Sequence, residues 1–210
     1  MRYCIVFVFL MVLSSSMNTI SKFFLVLNGP PTAGKTSVAR ELFQNNERIF
    51  LASRDSLKRM ISHYRNDDPY TIALSYHITL DLAEDALTRG LSVIIDQGFF
   101  SQNGGEKLGR ELLERASSIA KDHQVKLFLI NVEAPDDILL ERFRSRVRKA
   151  NEEKTPVSLT DEEEFKRRIS FYKKYKHYAD ATFRSDVLSP RGIADEIVAL
   201  VRKNDIDVKN

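Results

Sequence analysis

The sequence has 210 residues, of which 43% are hydrophobic and 29% are charged, and its formal net charge is +3. This length is sufficient for one domain with a full hydrophobic core, and the composition is that of an ordinary globular protein. The only cysteine is Cys4, which excludes a disulfide framework and a cysteine-based metal site. The small net charge gives no argument of its own for binding to nucleic acid.

The N-terminal segment differs in pattern from the rest of the chain. Arg2 precedes the apolar run Cys4–Leu13, and three serines follow this run. A basic start, an apolar stretch and a small-residue end are typical of a secretory signal, and the run is short for a membrane span. The alternative, which we favour, is a start of translation at Met17, a few residues before the first predicted strand. We therefore expect residues 1–16 to be a signal-like leader or an upstream start artefact, and residues 17–210 to form a single domain.

Short apolar runs alternate with amphipathic stretches after the leader, as strands and helices do. The predicted strands are Phe23–Asn28, Arg48–Ala52, Leu91–Ile95, Val125–Val132 and the weak Ala181–Arg184. The predicted helices are Lys35–Gln44, about Asp55–Tyr64, Pro69–Arg89, Gly104–His123, about Pro135–Lys149, one that opens with a capping box at Thr160 and Glu163, and Pro190 to about Lys203. This alternation predicts an α/β fold with a five-stranded parallel sheet and helices on both faces.

A phosphate-binding motif follows the first predicted strand. Gly29–Thr36 (GPPTAGKT) matches G-x-x-x-x-G-K-[ST] at every fixed position and precedes a predicted helix. Its glycines let the backbone approach phosphate oxygens, and the N–H groups and the helix N-terminus attract anions. Lys35 is predicted to reach the β- and γ-phosphates of ATP, and Thr36 to bind Mg²⁺. The predicted nucleotide-binding residues are Gly29, Pro30, Pro31, Thr32, Ala33, Gly34, Lys35, Thr36 and Ser37.

Two aspartates follow predicted strands, where ligands bind in open parallel sheets. Asp55 comes after the second strand and is predicted to orient an acceptor hydroxyl and to accept its proton. The alternative role for Asp55 is the N-cap of the following helix. Asp96 ends the third strand and is predicted to hold Mg²⁺ through water or to contact the acceptor hydroxyl, with a helix or turn cap as the alternative.

The helix after the fourth strand carries a basic cluster: Arg142, Arg144, Arg146, Arg148 and Lys149. The helical period places Leu139, Phe143 and Val147 on its buried stripe. One or two of these arginines are predicted to belong to a mobile helical lid and to neutralise charge on a transferring phosphoryl group. The alternative is a solvated basic face near a helix C-terminus, which the helix dipole also favours.

These residues together resemble the small P-loop kinases grouped with chloramphenicol phosphotransferase, zeta toxins and the kinase domain of phage polynucleotide kinase, over roughly Phe23 to Val201. The resemblance implies a P-loop NTPase core in which Asp55 is the general base, an acceptor-site aspartate is Asp96, and lid arginines are Arg142 and Arg146. It also implies that the loop after the last strand approaches the adenine. Lys58 stands where polynucleotide kinase has an arginine that helps to bind the substrate's phosphate, and no substrate signature is present between Gln97 and Gly105.

The resulting hypothesis is an ATP- and Mg²⁺-dependent phosphotransferase that moves the γ-phosphoryl group to a hydroxyl of a small-molecule acceptor. The use of ATP favours a cytoplasmic location if Met17 is the start, without stable membrane association. One alternative is a polynucleotide 5′-hydroxyl kinase, against which the small net charge and the absence of tryptophan weigh mildly. The other is a nucleotide-dependent regulatory ATPase that binds a protein partner, which the sequence does not identify.

Overall fold

The computed structural model describes residues 22–65, 67–155 and 159–207, with side chains described up to residue 204. The predicted leader at 1–16 lies outside these ranges, and the single domain over 17–210 stays a prediction. Within the described ranges the elements are β1 (Phe23–Asn28), α1 (Lys35–Asn45), β2 (Ile49–Ala52), α2 (Arg54–Met60), α3 (Pro69–Thr88), β3 (Ser92–Ile95), α4 (Gly105–Asp122), β4 (Lys126–Glu133), α5 (Asp136–Glu153), α6 (Glu162–Tyr175), a 3₁₀ turn (Lys176–Tyr178), β5 (Ala181–Arg184) and α7 (Pro190–Asp207).

The five strands form one sheet in the order β2-β3-β1-β4-β5, and every neighbouring pair is parallel. This confirms the predicted five-stranded parallel sheet. β1 lies at its centre, with Leu25 paired to Ile94 of β3 on one side and to Phe128 of β4 on the other. Because all strands run in the same direction, the loops that follow them meet at one edge of the sheet.

Helices cover both faces of the sheet, as predicted, and the side chains of β1 alternate between two cores. Phe23, Leu25 and Leu27 face a core formed with α1, α5, α6 and α7. Phe24 and Val26 face the opposite core, formed with α3 and α4. No helix in the described ranges is both long and apolar enough to cross a membrane.

Three helix ends differ from the predictions by about four residues, and one of them is that of α7, which runs to Asp207 rather than to about Lys203. The helix predicted to reach Tyr64 ends at Met60, because the backbone is extended at Ile61. The helix predicted to end near Lys149 continues to Glu153, and Lys154 in the left-handed region (φ 51°) then ends it. Within the extension, Ala150 is buried, which continues the apolar stripe of Leu139 and Phe143 one turn beyond Val147, while the three residues after it are polar and exposed.

The predicted capping box at the start of α6 is wrong. Asp161, not Thr160, is the N-cap, and its carboxylate accepts a hydrogen bond of 2.7 Å from the Glu164 N–H. Aspartate is among the best N-cap residues, and the three glutamates that follow it suit the positive end of the helix dipole. The Thr160–Glu163 pair matched the spacing of a capping box, but Asp161 supplies the cap one residue later.

A buried amide network joins the carboxyl ends of the central strands. Asn131 of β4 is 0% exposed, and its Oδ1 accepts a hydrogen bond of 2.9 Å from Asn28 Nδ2, its partner in the register of β1. Asn131 Nδ2 donates to the Lys176 carbonyl at 2.7 Å and to Thr182 Oγ1 at 3.3 Å. The network therefore links β1, β4, β5 and the 3₁₀ turn immediately below the loop Gly29–Thr36.

Replacing Asn131 by an apolar residue should destabilise the fold more than the small change in side-chain volume would, because hydrogen bonds in a buried site are lost. In Asn131→Leu, the Asn28 amide and the Lys176 carbonyl lose their shared partner in a buried site, and we expect the free energy of unfolding to fall by about 2–3 kcal/mol. Urea unfolding followed by circular dichroism measures this change. The matched control is Asn45→Ala at the exposed end of α1, with an expected change of no more than about 0.5 kcal/mol. Equal effects of the two substitutions would contradict the role given to the network.

Candidate functional site

A cavity of about 480 Å³ opens at the carboxyl edge of the sheet. Its wall is formed by the loop after β1, the segments after β2 and β3, and α5 and α6. It brings together nearly all the predicted site residues: Gly29, Pro30, Pro31, Thr32, Gly34, Lys35, Thr36, Ser37, Asp55, Asp96, Arg142 and Arg146. Ala33 is the exception, because its side chain is fully buried and its N–H donates to the Pro30 carbonyl at 3.4 Å.

The loop Gly29–Thr36 is held in a conformation that requires glycine. Gly29 has φ 150°, and a Cβ atom there would lie 2.1 Å from the Val132 carbonyl oxygen of β4. Gly34 has φ 96° and begins α1. Thr32 has φ 63°, and its hydroxyl lies within hydrogen-bond distance of the Leu139 carbonyl in α5, at 3.0 Å. The loop is thus packed against β4 and α5 rather than projecting freely.

Lys35 lies over this loop, and its ammonium donates hydrogen bonds of 2.9 Å to the carbonyls of Gly29 and Pro30. Burial lowers its pKa to about 8, although the nearby carboxylates of Asp96 and Asp55 act in the opposite direction. An ammonium with a lowered pKa gains from a further negative charge, because such a charge restores its protonated form. The position suits the binding of an anion.

Asp96 follows β3 and is 9% exposed, with its carboxylate toward the cavity. Burial and the charge of Asp55 raise its pKa, while Lys35, a hydrogen bond with Thr36 and the charge of Arg40 lower it, and the net direction is upward. The Thr36 hydroxyl and the Asp96 carboxylate therefore lie side by side. Oxygen donors of this kind are the ligands that Mg²⁺ prefers.

Asp55 lies in the first turn of α2 but does not cap it. The N-cap is Ser53, which accepts a hydrogen bond from the Ser56 N–H. The Asp55 side chain is 74% exposed, lines the cavity and pairs with Lys58 Nζ at 2.8 Å. Desolvation by the cavity wall raises its pKa, but Lys58, Arg54 and Lys35 together outweigh this effect and hold the pKa below its usual value. Asp55 is therefore an ionised carboxylate that is free of a structural capping role.

The two predicted lid arginines have different surroundings. Arg142 is half-buried and donates to Ser185 after β5, through Nη1 to the hydroxyl at 2.9 Å and through Nη2 to the carbonyl at 2.8 Å. Arg146 lies one turn further along α5, at the mouth of the cavity. Desolvation lowers its pKa, Asp55 raises it and Arg168 lowers it. Arg146 is thus placed in the electrostatic field of Asp55, and Arg142 holds α5 to the loop after β5.

Arg54 lines the cavity and was not predicted as a site residue. It is 4% exposed, and its Nε donates to Ser75 Oγ at 2.8 Å and its Nη2 to the Tyr64 hydroxyl at 3.0 Å. Its guanidinium also lies 4.0 Å from the centre of the Tyr76 ring. The only sequence signal was its position beside Asp55, because its burial depends on residues of α3 and of the preceding loop.

An aromatic stack joins the loop after β3 to the end of α6. The Phe100 ring stacks between Tyr175 at 4.8 Å and Tyr178 at 4.9 Å. Gly109 of α4 leaves the space for it, since a Cβ atom there would lie 2.4 Å from the Phe100 ring. The stack fixes the position of Phe100, which lines the cavity together with Gln102. Aromatic residues so far apart in sequence give no motif, and their place in the site was not predicted.

Comparison with known proteins agrees with this geometry. A family model described as an AAA domain matches residues 24–172 of the chain. No curated protein sequence matches it. Among solved structures, the Mycobacterium tuberculosis APS kinase CysC in complex with AMPPNP and APS is 15% identical, with 86% of this chain and 98% of that chain covered and a TM-score of 0.61.

Two further structures have the same fold. Shikimate kinase from Acinetobacter baumannii, in complex with shikimate, is 19% identical, with 88% of this chain and 96% of that chain covered and a TM-score of 0.58. The Deinococcus radiodurans tunicamycin resistance protein is 18% identical, with 86% and 95% covered and a TM-score of 0.56. At these identities the likeness concerns the fold. With the family match over most of its length, the chain belongs to the AAA domain family and has the α/β fold of the small P-loop kinases.

Proposed function

We propose that this chain is an ATP-dependent kinase that transfers the γ-phosphoryl group to a hydroxyl of a small-molecule acceptor. The observation that carries the proposal is that the phosphate-binding loop and the ionised carboxylate of Asp55 line the same cavity. A nucleotide switch needs the loop but has no need of a carboxylate opposite it. A hydroxyl acceptor needs a carboxylate to orient it and to take its proton.

The nucleotide would occupy the side of the cavity formed by the loop Gly29–Thr36 and α5. The loop N–H groups and the ammonium of Lys35 would bind the phosphates, and the loop after β5, held by Arg142, would approach the adenine. The Thr36 hydroxyl, with Asp96 beside it, offers oxygen donors for Mg²⁺. The ion would neutralise charge on the β- and γ-phosphates when bound.

Asp55 would act on the acceptor from the other side of the cavity. The acceptor oxygen forms a bond to the γ-phosphorus, the bond between that phosphorus and the β–γ bridging oxygen breaks, and ADP leaves with the electron pair. The hydroxyl proton passes to the Asp55 carboxylate, which is ionised and therefore able to receive it. Arg146 lies near enough to Asp55 to influence it electrostatically, and would stabilise charge on the group in transfer.

The structural neighbours lend support to this assignment. APS kinase and shikimate kinase are named for small acceptors, and each is represented by a structure that contains its acceptor. The size of the cavity, about 480 Å³, lies in the range of small-molecule and cofactor sites. The requirement for ATP favours the cytoplasmic location expected for a start at Met17. A regulatory ATPase that binds a protein partner remains the alternative from a different functional class.

Replacing Asp55 separates the kinase from the regulatory ATPase. In Asp55→Asn we expect acceptor-dependent ADP formation to fall by at least about 100-fold, because the general base is lost, while the affinity for MgATP changes little. A coupled ADP assay and calorimetric titration measure the two quantities. The control is Asp85→Asn, which removes an exposed carboxylate of α3 that pairs with Arg89. Unchanged phosphoryl transfer by the Asp55 variant would remove this residue from the mechanism.

The lowered pKa of Lys35 predicts that nucleotide binding depends on pH. At pH 8 the free protein carries about half a proton on this amine, and bound phosphates raise the pKa again, so binding should take up about half a proton. Affinity should therefore weaken as the pH rises from about 7.5 to 9.5. Calorimetry in two buffers of different ionisation enthalpy counts the protons. Lys35→Met should bind more weakly and show no proton uptake in this range, and proton release by the wild-type protein would refute the assignment.

A further inference from the structure

We propose that the acceptor of this kinase carries an anionic group, a phosphate or a carboxylate, which Arg54 and Arg168 bind. The inference rests on the proposed function, since it takes MgATP as the other occupant of the cavity. It goes further in naming the chemical class of the acceptor and two residues that select it. Arg54 enters the cavity from α2 and Arg168 from α6.

The balance of charge in the cavity favours an anionic acceptor. Two carboxylates line it, those of Asp55 and Asp96. The cationic residues that line it are Lys35, Arg54, Lys58, Arg142, Arg146 and Arg168. MgATP brings a net charge of about −2, which leaves an excess of about two positive charges when every lysine is protonated. An acceptor with one or two negative charges would neutralise this excess.

The environment of Arg54 favours the same class of acceptor. Its guanidinium is buried and is held in direct contact by the hydroxyls of Ser75 and Tyr64 and by the ring of Tyr76, while its charge also acts on the adjacent Asp55 carboxylate. Among the described residues, no carboxylate lies within 4.0 Å of its nitrogen atoms, so it forms no ion pair there. A buried cation is costly unless an anion compensates it. The three neutral contacts fix the orientation of the guanidinium, and a planar guanidinium in a fixed orientation suits the bidentate binding of a carboxylate or phosphate.

Positive charges from α5 and α6 line the same cavity, those of Arg146 and Arg168. Arg168 of α6 donates through Nε to Glu164 at 3.0 Å and also lines the cavity. Burial lowers the pKa of Arg146 on α5, and the charge of Arg168 lowers it further, as expected of repulsion between two guanidinium groups that line one cavity. An anion in the cavity would relieve this repulsion. The fold thus holds cations from three elements, α2, α5 and α6, around one space.

This arrangement also indicates which acceptors the site disfavours. A cationic acceptor such as an aminoglycoside would add to the repulsion, and a neutral phenicol would leave the excess of positive charge in the cavity uncompensated. Lys58 is not part of the proposed subsite, because it pairs with Asp55. A phosphorylated or carboxylated hydroxyl compound of small size satisfies the charge and the volume of the cavity.

A binding experiment tests the subsite without turnover. The nucleotide site of the full chain is filled with Mg²⁺ and AMPPNP, and inorganic phosphate is titrated by calorimetry. We expect Arg54→Gln and Arg168→Gln each to weaken phosphate binding at least tenfold. The matched control, Arg148→Gln, removes an exposed arginine of α5 that does not line the cavity, and should change binding less than twofold. Phosphate binding that is unchanged in both test variants overturns the proposal.

Thermal denaturation of each variant shows whether it folds. Arg54 is buried, so Arg54→Lys serves as the second variant: it keeps the charge, loses the planar fork, and should bind phosphate more weakly than the wild type but more strongly than Arg54→Gln. If neither Arg54 variant folds, the test rests on Arg168→Gln alone, which replaces a half-buried residue of α6. Phosphate binding by Arg168→Gln equal to that of the wild type would then overturn the proposal.

Turnover with matched acceptors distinguishes failure of this inference from failure of the proposed function. The pairs are glucose and gluconate, glucose and glucose 6-phosphate, and a nucleoside and its 3′-monophosphate. We expect the charged member of at least one pair to have a kcat/KM at least tenfold above its neutral partner, and Arg168→Gln to abolish the difference. If the neutral members have an equal or higher kcat/KM, the proposal of an anionic subsite is overturned, but the proposed kinase activity is not. Phosphate binding that depends on Arg54 and Arg168, without ADP formation from any acceptor, overturns the kinase instead.

Discussion

The hydrogen bond between Asn28 and Asn131 is the constraint on which the geometry of the cavity depends. It fixes the end of β1 against the end of β4, directly below the phosphate-binding loop. The same Asn28 side chain packs on Gly98, where a Cβ atom would lie 2.0 Å from its Oδ1, and so sets the path of the loop after β3. A buried amide costs free energy unless its hydrogen bonds are made. This pair therefore favours the one arrangement of the neighbouring loops in which they are made.

This fixed edge explains how groups from distant parts of the sequence come to share one electrostatic environment. Lys35, Asp55 and Asp96 follow three different strands, yet each affects the pKa of at least one of the others. The buried ammonium of Lys35 is less easily protonated than a free lysine and suits anion binding. The buried Asp96 is less easily ionised than a free aspartate and suits the support of a metal site. Asp55, which is more exposed and surrounded by cations, remains ionised and suits the acceptance of a proton.

Much of the fold could be predicted because its signals are local. The phosphate-binding loop has a fixed spacing, and β1 and β5 are continuous segments whose predicted bounds are those of the structure. The cap of α6 could not be predicted from spacing alone, since both Thr160 and Asp161 are acceptable caps and the geometry of the backbone selects between them. The early end of α2 likewise depends on the extended backbone at Ile61, for which the sequence has no breaker residue.

The site was predicted less completely than the fold. Asp55 and Asp96 could be placed at this edge of the sheet because they follow strands, whereas the choice of Arg142 and Arg146 among the arginines of one helix came from the family resemblance. Arg54 could not be found, because its place in the cavity depends on Ser75 and Tyr76 of α3, which are twenty or more residues away. The side of the cavity formed by the phosphate-binding loop thus follows from a motif, and the side to which Arg54 belongs follows from tertiary packing.

The central claim is that phosphoryl groups leave the nucleotide for a hydroxyl acceptor and not for water. The fate of the label from ATP carrying ³²P at the γ-position, separated by chromatography after incubation with the protein, Mg²⁺ and a panel of hydroxyl compounds, tests it most directly. The account predicts that the label moves onto an acceptor, with inorganic phosphate a minor product. Label recovered only as inorganic phosphate, at a rate that no compound in the panel changes, would contradict it.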